Sequence, residues 1–431
     1  MPGSQTDTSP IRSLTGLRFV AAFSVFLTHA LPGILPLPGG GNREPLAYLV
    51  LHQLAGLGMP LFFVLSGFVI HYNYRVTVSD HGWRGKFNFF VARFARLYPL
   101  FLFVLAYDLL SHPAELFGPE VQALPYYLLM TQTWLFKLID GQLLIYQFGF
   151  MPQISWSIAT EWFFYCLYPF LCLGLVRLRT PRRTVIVMLA FIAFAVALLA
   201  VVGFHAEAIN DFFYAHAGHP DGWQTSAQQR PDRWLVYFSP YSRVLEFCLG
   251  CLVAEIHLQI RDRPIGAREQ TLGAWVTLLA LVLVATVFAL FHPFVEWTPL
   301  PAQLKSVLTR CFGLAPPIAL LIFCCVRYRN PVVAWLSRPT IVLLGELSYS
   351  IYLFHPLTIH LFRRQAIRVT SSAALIADLV LMATTIGCTI GLALITWHII
   401  ELPSRRWLRR RFTLPLVKLR APAAPAATPA E

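Results

Sequence analysis

The chain has 431 residues, of which 57% are hydrophobic and only 13% are charged, and its mean hydropathy is +0.60. In soluble domains about a quarter of all residues are charged, so this composition excludes an ordinary water-soluble enzyme and indicates a membrane protein. The formal net charge of +13 would fit a nucleic-acid-binding protein if the basic residues formed one patch. They fall instead in alternate loops between apolar segments, so we expect no nucleic-acid partner.

Apolar stretches of about 20 residues, the length that crosses a bilayer, recur along the whole chain. The predicted fold class is therefore all-α: a polytopic integral membrane protein with about ten transmembrane helices. The predicted spans are 14–37, 48–72, 88–111, 155–176, 184–204, 236–258, 271–291, 307–326, 339–361 and 374–400. A shorter, polar-interrupted stretch at 121–136 is interpreted as an interfacial or re-entrant element, and an eleventh span is the alternative.

Basic residues follow every even-numbered predicted span, whereas most odd-numbered exits are poorer in them. Because cytoplasmic loops are enriched in Lys and Arg, both termini are predicted to lie in the cytoplasm. The basic residues at the even exits are Arg75, Arg84, Lys86, Arg177, Arg179, Arg182, Arg183, Arg261, Arg263, Arg268, Arg327, Arg329, Arg338 and the stretch RRWLRRR. Three arginines after span nine, Arg363, Arg364 and Arg368, go against this rule.

The chain divides into three regions on this topology. We expect a cytoplasmic segment at 1–12, a transmembrane domain at 13–407 and, at 408–431, a basic and then Pro/Ala-rich cytoplasmic tail that is disordered. A cleaved signal peptide is a disfavoured alternative for the first span, because Arg18 interrupts the start of the segment.

Neither the cysteines nor the longest hydrophilic loop predicts a metal site or a disulfide framework. The eight cysteines all lie in or at the ends of apolar segments. Cys248 and Cys251 share only the CxxC spacing, so we interpret them as small buried residues. The loop from His205 to Arg233, predicted to lie outside, holds possible ligands without a tight spacing. They are His205, Asp211, His216, His219 and Asp221.

The first predicted span, LTGLRFVAAFSVFLTHALPGILPLP, contains two ionisable residues, Arg18 and His29. An arginine near mid-membrane costs roughly 2.5 to 3.5 kcal/mol, so such residues usually face a protein interior or a wet cavity. Eleven helical steps return the chain to within roughly 20° of its starting face, about 16 Å further along the axis. We therefore predict that both residues line one stripe, one near a membrane surface and the other deeper.

Arg93 and Arg96, in FFVARFARLYP, lie three residues apart at the cytoplasmic start of the third span. This spacing places both guanidiniums on one helix face. One interpretation is a positive-inside anchor. The other is a bidentate grip on a phosphorylated ligand, for which the planar guanidinium is suited. The spacing alone leaves both open.

Ser157, Glu161 and Tyr165 repeat every four residues in SWSIATEWFFYCLYP and share one stripe. Glu161 in an aromatic span requires a partner or a protonated carboxyl. Two roles stay open: chemistry, or structural pairing with Arg93, Arg96 or Arg243.

A second polar stripe occurs in GELSYSIYLFHP, where Ser348, Tyr352 and His355 share one helix face. Their polar groups would either bind a polar substrate or link helices. Both interpretations are physically reasonable, because an apolar helix packs its polar groups inward in either case.

Three further polar features favour structural roles. Ser66 and Gly67, inside GMPLFFVLSGFVI, indicate close helix packing, because small residues let backbones approach in membranes. Arg243 and Glu246 are three apart and pair with each other in the simplest interpretation. Glu401 precedes a basic run and is interpreted as a structural cap.

Taken together, these stretches resemble the acyltransferase family 3 membrane proteins, a bacterial group that O-acetylates surface polysaccharides and other exported acceptors. The resemblance extends from Ser13 to about Trp407. It rests on the order of its elements: Arg18 and His29 eleven apart, FFVLSGF, the RxxR before LYP, SWSIATEWFFYCLYP, LEFCLGCLVA and SYSIYLFHP. Some members carry a C-terminal SGNH hydrolase-like domain, which we do not expect here.

The resemblance implies an activity and roles for particular residues. Acyl-CoA, most simply acetyl-CoA, would donate the acyl group from the cytoplasm to a hydroxyl of an exported glycan or related acceptor. His29 would be the catalytic base and Glu161 would support it, while Arg18, Arg93 and Arg96 would bind the donor. The weaker substrate-binding candidates are Ser157, Tyr165, Ser348, Tyr352 and His355. The expected location is the bacterial inner membrane, with membrane lipid as a further partner and no metal.

The competing interpretation is a transporter or flippase for a polar or lipid-linked substrate, because ionisable residues in polytopic bundles also mark substrate pathways. Transporters often have paired halves with interrupted helices, and no convincing internal repeat is visible here. The sequence leaves open the acceptor, which ranges from O-antigen, exopolysaccharide and peptidoglycan to a Nod-type oligosaccharide or a macrolide. It also leaves open the acyl chain length and the oligomeric state.

The topology predicts that the His205 to Arg233 loop lies outside the cell. A cysteine introduced by Ser226→Cys should therefore react with a membrane-impermeant thiol reagent in whole cells, with the unsubstituted chain labelled in parallel as the background. Labelling that appears only after lysis would reverse the predicted orientation.

Overall fold

The protein is described here from a computed structural model that defines residues 11–34, 50, 53–220, 229–291, 300–363 and 372–416. Within these ranges the chain is almost entirely helical. The exception is an antiparallel pair of two-residue strands, β1 (Leu138–Ile139) and β2 (Gln142–Leu143), in which Leu138 is opposite Leu143. The predicted all-α class is confirmed.

The described residues form sixteen α-helices of five or more residues, numbered in chain order. The first eight are α1 (Arg12–Ile34), α2 (Ala55–Asp80), α3 (Gly82–Ser111), α4 (Leu124–Leu128), α5 (Ser155–Leu175), α6 (Pro181–Phe204), α7 (Ala206–Ala217) and α8 (Pro240–Ile260). The others are α9 (Ala267–Phe291), α10 (Ala302–Arg310), α11 (Ala315–Arg327), α12 (Pro331–Leu336), α13 (Pro339–Glu346), α14 (Ser348–Arg363), α15 (Ser372–Thr396) and α16 (Leu402–Phe412).

Shorter helical pieces connect these helices. Four 3₁₀ turns surround α4 and the strand pair: Pro113–Leu116, Pro119–Ala123, Leu144–Tyr146 and Met151–Gln153. A single turn, Pro231–Arg233, and the π-helical segment Trp234–Phe238 lead into α8. A second π-helical segment, Trp397–Glu401, joins α15 to α16.

Eight helical segments among the described residues are long and apolar enough to cross a membrane. They are Arg12–Leu31, Ala55–Asp80, Gly82–Ser111, Ser155–Leu175, Pro181–Phe204, Ala267–Phe291, Ala302–Arg327 and Ile376–Phe412. Each coincides with a predicted span. The two remaining predicted spans, 236–258 and 339–361, are also helical, but α8 carries several charges and the second is divided into α13 and α14. The protein is thus a polytopic membrane protein.

The stretch predicted to be interfacial or re-entrant, 121–136, does not form an eleventh span. Its longest helix, α4, has only five residues, whereas a membrane-spanning helix needs about 20. The stretch leads into the strand pair, and Lys137 at its end donates a hydrogen bond to the Tyr126 hydroxyl, 2.9 Å away.

Helices α6 and α9 carry large apolar side chains on the outer surface of the bundle. Ile186, Leu189 and Phe194 of α6 are each more than half exposed, as are Leu272 and Trp275 of α9. Contiguous apolar surface of this kind is unfavourable in water. A bilayer would cover it, so these two helices face lipid.

Helices α2 and α8 form the close contact at the centre of the bundle. A Cβ atom added at Gly67 of α2 would lie 2.0 Å from the Phe247 carbonyl oxygen of α8. Reciprocally, one added at Gly250 would lie 2.0 Å from the Val64 carbonyl oxygen. Small residues allow such an approach in membranes, so the predicted packing role of Ser66 and Gly67 is confirmed for Gly67.

Buried charges at the ends of these two helices are paired with each other. Arg243 Nη1 lies 3.1 Å from Glu246 Oε1, so their predicted mutual pairing is confirmed. At the other end, Glu255 Oε2 lies 2.7 Å from His71 Nε2 and 2.8 Å from Arg75 Nε. Pairing offsets the cost of burying these groups, and it leaves Arg243 committed to Glu246.

The loop predicted to lie outside contains α7, and a hydrogen bond joins α7 to the segment before α8. Asn210 Oδ1 accepts a hydrogen bond from the Asp232 backbone N–H, 2.9 Å away. Arg310 Nη1 lies 3.2 Å from Asp232 Oδ2. Among the described residues no three His, Cys, Asp or Glu side chains come together as metal ligands. Asp221 and Ser226 lie outside the described residues.

Substituting Gly250→Ala should destabilise the bundle, because the new methyl group meets backbone of α2 that cannot rotate away. Overpacking typically costs about 1 to 3 kcal/mol. The melting temperature of purified protein in detergent should fall accordingly. Gly387→Ala is the matched control, since a Cβ atom there meets nothing within 4 Å. Equal melting temperatures for the two variants would contradict the close contact.

Candidate active site

One cavity, partly open to solvent, lies between α1, α2, α3, α5 and α14, and the space not filled by atoms in it and at its opening is about 770 Å³. Eight of the ten residues predicted from the sequence line it. They are Arg18, Arg93, Arg96, Ser157, Glu161, Tyr165, Ser348 and Tyr352. Five different helices supply this wall, and the apolar part includes Phe62 and Phe63. The remaining two candidates, His29 and His355, lie next to the cavity.

Arg93 is held by aromatic residues and keeps part of its hydrogen-bonding capacity. Its Nη2 donates to the Tyr74 hydroxyl, 2.6 Å away, and its guanidinium carbon lies 4.6 Å from the Tyr74 ring centroid. The Tyr165 ring centroid lies 5.7 Å from the same carbon. The buried Nε has no hydrogen-bond partner among the described residues. Arg93 can therefore still donate to an anion.

Three guanidiniums and one carboxylate share this cavity. Among the described residues, Arg18, Arg93 and Arg96 form no ion pair with a carboxylate within 4.0 Å. Glu161 is the carboxylate in the lining. Since a guanidinium is always protonated in proteins, the cavity wall has an excess of positive charge. That wall is suited to an anionic ligand.

Glu161 is anchored by hydroxyl groups and not by a direct ion pair. Its Oε1 accepts hydrogen bonds from Ser66 Oγ at 2.9 Å and from the Tyr165 hydroxyl at 2.5 Å. Arg93 acts on it only at longer range. The structure therefore does not have the alternative of direct pairing with Arg93, Arg96 or Arg243, because hydroxyl donors bond Oε1 and no ion pair of Glu161 lies within 4.0 Å among the described residues.

His29 and His355 form a hydrogen-bonded pair between α1 and α14. His29 Nδ1 lies 2.8 Å from His355 Nε2, and the two rings are nearly parallel with centroids 5.0 Å apart. His355 Nδ1 lies 2.7 Å from the Tyr352 carbonyl oxygen. That carbonyl lacks its usual helical donor, because residue 356 is a proline without an N–H.

These contacts fix which nitrogen carries each proton. A carbonyl oxygen only accepts, so His355 Nδ1 must be the donor to it. In neutral His355, Nε2 then carries the lone pair and accepts from His29 Nδ1–H. Neutral His29 consequently has its own lone pair on Nε2. The pair therefore presents Nε2 of His29 as the basic nitrogen.

Tyr352 connects the histidine pair to the cavity. Its hydroxyl lines the cavity side and lies 2.7 Å from Ser157 Oγ, while its ring centroid lies 5.6 Å from that of His355. Ser157 and Tyr352 thus link α5 to α14. Ser348 Oγ, one turn away on α14, is buried without a hydrogen-bond partner among the described residues. Of the predicted hydroxyls, Ser348 is the one left to bind a ligand.

The stripe predicted for Arg18 and His29 corresponds to this arrangement. Both lie on α1, an uninterrupted helix of 23 residues. Arg18 lines the cavity, and His29 contacts His355 beyond it. Their eleven-residue separation gives an axial distance of about 16 Å.

Sequence reasoning missed two contacts of this site and assigned the role of a third residue only in part. Tyr74 and Ser66 contact Arg93 and Glu161. Only Ser66 had a visible cue, a hydroxyl inside an apolar run. The interpretation of Glu401 as a cap holds for its position only: it is the N-cap residue of α16, but its carboxylate makes no capping hydrogen bond. It is buried and accepts from Ser350 Oγ at 2.9 Å.

Comparison with known proteins finds relatives that are named as acyltransferases. The acyltransferase MdmB of Streptomyces mycarofaciens is 31% identical over 251 residues, covering 57% of this chain and 57% of MdmB. A Staphylococcus aureus (strain COL) protein named for O-acetyl transfer is 23% identical over 355 residues, covering 80% of this chain and 50% of its own. The match thus spans about half the length of these curated relatives. No solved structure matches.

The family comparison covers all five cavity-lining helices. The sequence profile of the Acyl_transf_3 family, described as an acyltransferase domain, matches residues 11–398. The matched region includes α1 to α15 and therefore every residue assigned above to the cavity and to the histidine pair. The chain belongs to the Acyl_transf_3 acyltransferase family of polytopic membrane proteins.

Proposed function

We propose that the protein is a membrane-embedded O-acyltransferase that moves an acyl group, most simply acetyl, from acyl-CoA to a hydroxyl of an exported glycan or related acceptor. The observation that supports this best is the single cavity lined by Arg18, Arg93 and Arg96, next to the His29–His355 pair. Family membership and the relatives named for acyl and O-acetyl transfer support the same reaction class.

The donor site follows from charge. Coenzyme A carries phosphate groups at one end and its thioester at the other. The excess of guanidiniums would bind the phosphates through charge-assisted hydrogen bonds. Arg93 is the strongest candidate, because its buried Nε still lacks an acceptor. With the phosphates near Arg93 and Arg96, the long pantetheine arm would extend toward His29.

Acyl transfer to an alcohol requires removal of the hydroxyl proton. His29 Nε2 would take this proton while the acceptor oxygen attacks the thioester carbonyl. The ester C–O bond forms, the C–S bond breaks, and the proton on His29 passes to the departing thiolate. His355 would act as a positioning residue, since it accepts from His29 Nδ1–H and thereby holds the productive tautomer.

Glu161 would support the site and is the next candidate for the base. Its carboxylate lines the same cavity, where Ser66 and Tyr165 hold one of its oxygens. It lowers the positive charge beside Arg93 and so limits how tightly a spent donor is held. The hydroxyl of Ser348 would contact the donor arm or the acceptor.

Topology completes the proposal: the donor side faces the cytoplasm, and the protein resides in the bacterial inner membrane. No specific observation favours the alternative of a transporter or flippase. Purified protein given labelled acetyl-CoA and an acceptor glycan decides between the two. Label transferred to the glycan supports the acyltransferase, whereas solute movement across vesicles without transfer supports transport.

Arg93→Ala and Arg96→Ala should each weaken acyl-CoA binding in detergent while the protein still expresses and folds. Lysine at either position should restore the affinity only in part, because it keeps the charge but lacks the planar donor pair. Isothermal titration of purified protein with acetyl-CoA measures both effects.

Arg84→Ala is the matched control for these variants. Arg84 lies on the same helix but is exposed and outside the cavity lining, so its loss should leave acetyl-CoA affinity unchanged. A folded Arg93→Ala/Arg96→Ala protein with wild-type affinity would return both arginines to the role of membrane anchors.

His29→Gln should lower turnover by roughly two orders of magnitude or more, the usual scale for loss of a positioned base. Glutamine retains hydrogen bonding to His355 but supplies no comparable base. Acyl-CoA affinity should stay nearly unchanged, because the donor phosphates bind elsewhere in the cavity. Steady-state acyl transfer between pH 6 and 8, together with donor titration, measures the two effects separately.

The double variant His29→Gln/His355→Phe is the control for the proposed relation between the histidines. If His355 acts only through His29, the double variant should be no slower than His29→Gln alone, since the effects of substitutions at coupled residues are not additive. Near wild-type turnover by His29→Gln would instead transfer the base role to another residue, with Glu161 the first to test.

A further inference from the structure

Helix α16, which carries the basic run, lies against the arginines of the cavity. The Leu414 backbone N–H donates to Asn88 Oδ1 at 2.7 Å, and Asn88 Nδ2 donates back to the Leu414 carbonyl oxygen at 2.8 Å. Asn88 is buried on α3, five residues before Arg93. This two-bond clamp fixes the end of α16 beside the RxxR helix.

One face of α16 continues the electrostatic environment of the cavity. Glu401, Arg405 and Arg409 are spaced by four and therefore share a stripe. Glu401 is buried, Ser350 donates to it, and Arg405 Nη1 lies 3.6 Å from its Oε1. Within the described residues this is the only carboxylate paired with Arg405, and the stripe runs from buried Glu401 through half-buried Arg405 to exposed Arg409.

Arg405 and Arg409 interact with the same groups that surround Arg93. Both act electrostatically on Tyr74, whose hydroxyl accepts a hydrogen bond from Arg93. Arg405 in turn lies in the field of Arg93, Arg96 and Arg409. Arg405 and Arg409 of α16 therefore lie near Arg93 and Arg96 of α3, just outside the residues that line the cavity.

Among the described residues, Arg405 is the only one of these four arginines with a carboxylate within 4.0 Å, that of Glu401. At longer range Glu161 acts on Arg93, and Glu401 acts on Arg96. Like charges brought together at reduced dielectric repel each other. Arg93 Nε is also buried without an acceptor. A ligand with more than one phosphate group would relieve both the repulsion and the missing hydrogen bond.

We propose that Arg405 and Arg409 of α16 form a second phosphate subsite, which binds the 3′-phosphate of the donor's nucleotide while Arg93 and Arg96 bind its diphosphate. This inference rests on the proposed acyl-CoA donor. This order follows from the chemistry of acyl-coenzyme A, in which the diphosphate lies further from the acyl group than the thioester does, and the 3′-phosphate lies further still. With the thioester near His29 and the diphosphate near Arg93, the 3′-phosphate would reach α16, where Arg409 is exposed and Arg405 half-buried.

The test compares coenzyme A with 3′-dephospho-coenzyme A, using the full chain in nanodiscs of neutral phosphatidylcholine. Wild-type protein should bind coenzyme A about tenfold or more tightly than the dephospho form, since a charge-assisted contact is lost. Arg405→Ala/Arg409→Ala should abolish this preference and leave the affinity for dephospho-coenzyme A almost unchanged. Arg409→Gln, at an exposed position, should reduce the preference without risk to folding.

Arg406→Ala/Arg410→Ala is the matched control. It removes the same charge from another face of α16, where both residues are exposed, and should preserve the preference for the 3′-phosphate. An equal loss of this preference in the control would show that it depends only on the overall positive charge of α16, and would overturn the inference.

Two further results would also overturn it, and each is distinguishable from failure of the proposed function. A wild-type preference that survives in Arg405→Ala/Arg409→Ala would place the 3′-phosphate elsewhere, with the donor itself upheld. A difference between variants that appears only when phosphatidylglycerol is added would assign the stripe to lipid headgroups. No coenzyme A binding by folded wild-type protein would instead reject the proposed donor.

Discussion

The structure depends on one constraint: charge inside an apolar bundle must be compensated, and this bundle compensates its carboxylates but not all its guanidiniums. Glu246 and Glu255 are each paired with a basic side chain, and Glu161 is held by two hydroxyls. The arginines of the cavity have no such carboxylate partners among the described residues. Because an uncompensated buried charge is costly, the site is organised to receive negative charge from a ligand.

Close helix packing makes that organisation possible. Gly67 and Gly250 let the backbones of α2 and α8 meet, so the paired charges of these helices lie within a rigid centre. Tyr74 of α2 contacts Arg93 through both its hydroxyl and its ring.

A proline and a histidine in succession supply the other half of the site. Pro356 removes one backbone donor from α14, and the Tyr352 carbonyl accepts from His355 in its place. This local substitution fixes the tautomer of His355 and, through it, that of His29 on a different helix. The missing helical hydrogen bond thus determines the orientation of a basic nitrogen, about 16 Å along α1 from Arg18.

The sequence by itself determined the all-α class, the positions of the helices and most of the cavity lining, because hydropathy, helical periodicity and costly polar residues are local properties. Arg18 and His29 on one stripe, and Arg93 and Arg96 on one face, follow from spacing along a single helix. The contacts of Tyr74 with Arg93, of His29 with His355 and of α16 with the RxxR helix join residues distant in the chain. Periodicity reports which side chains share a face but not which faces meet, so only tertiary packing decided these partners.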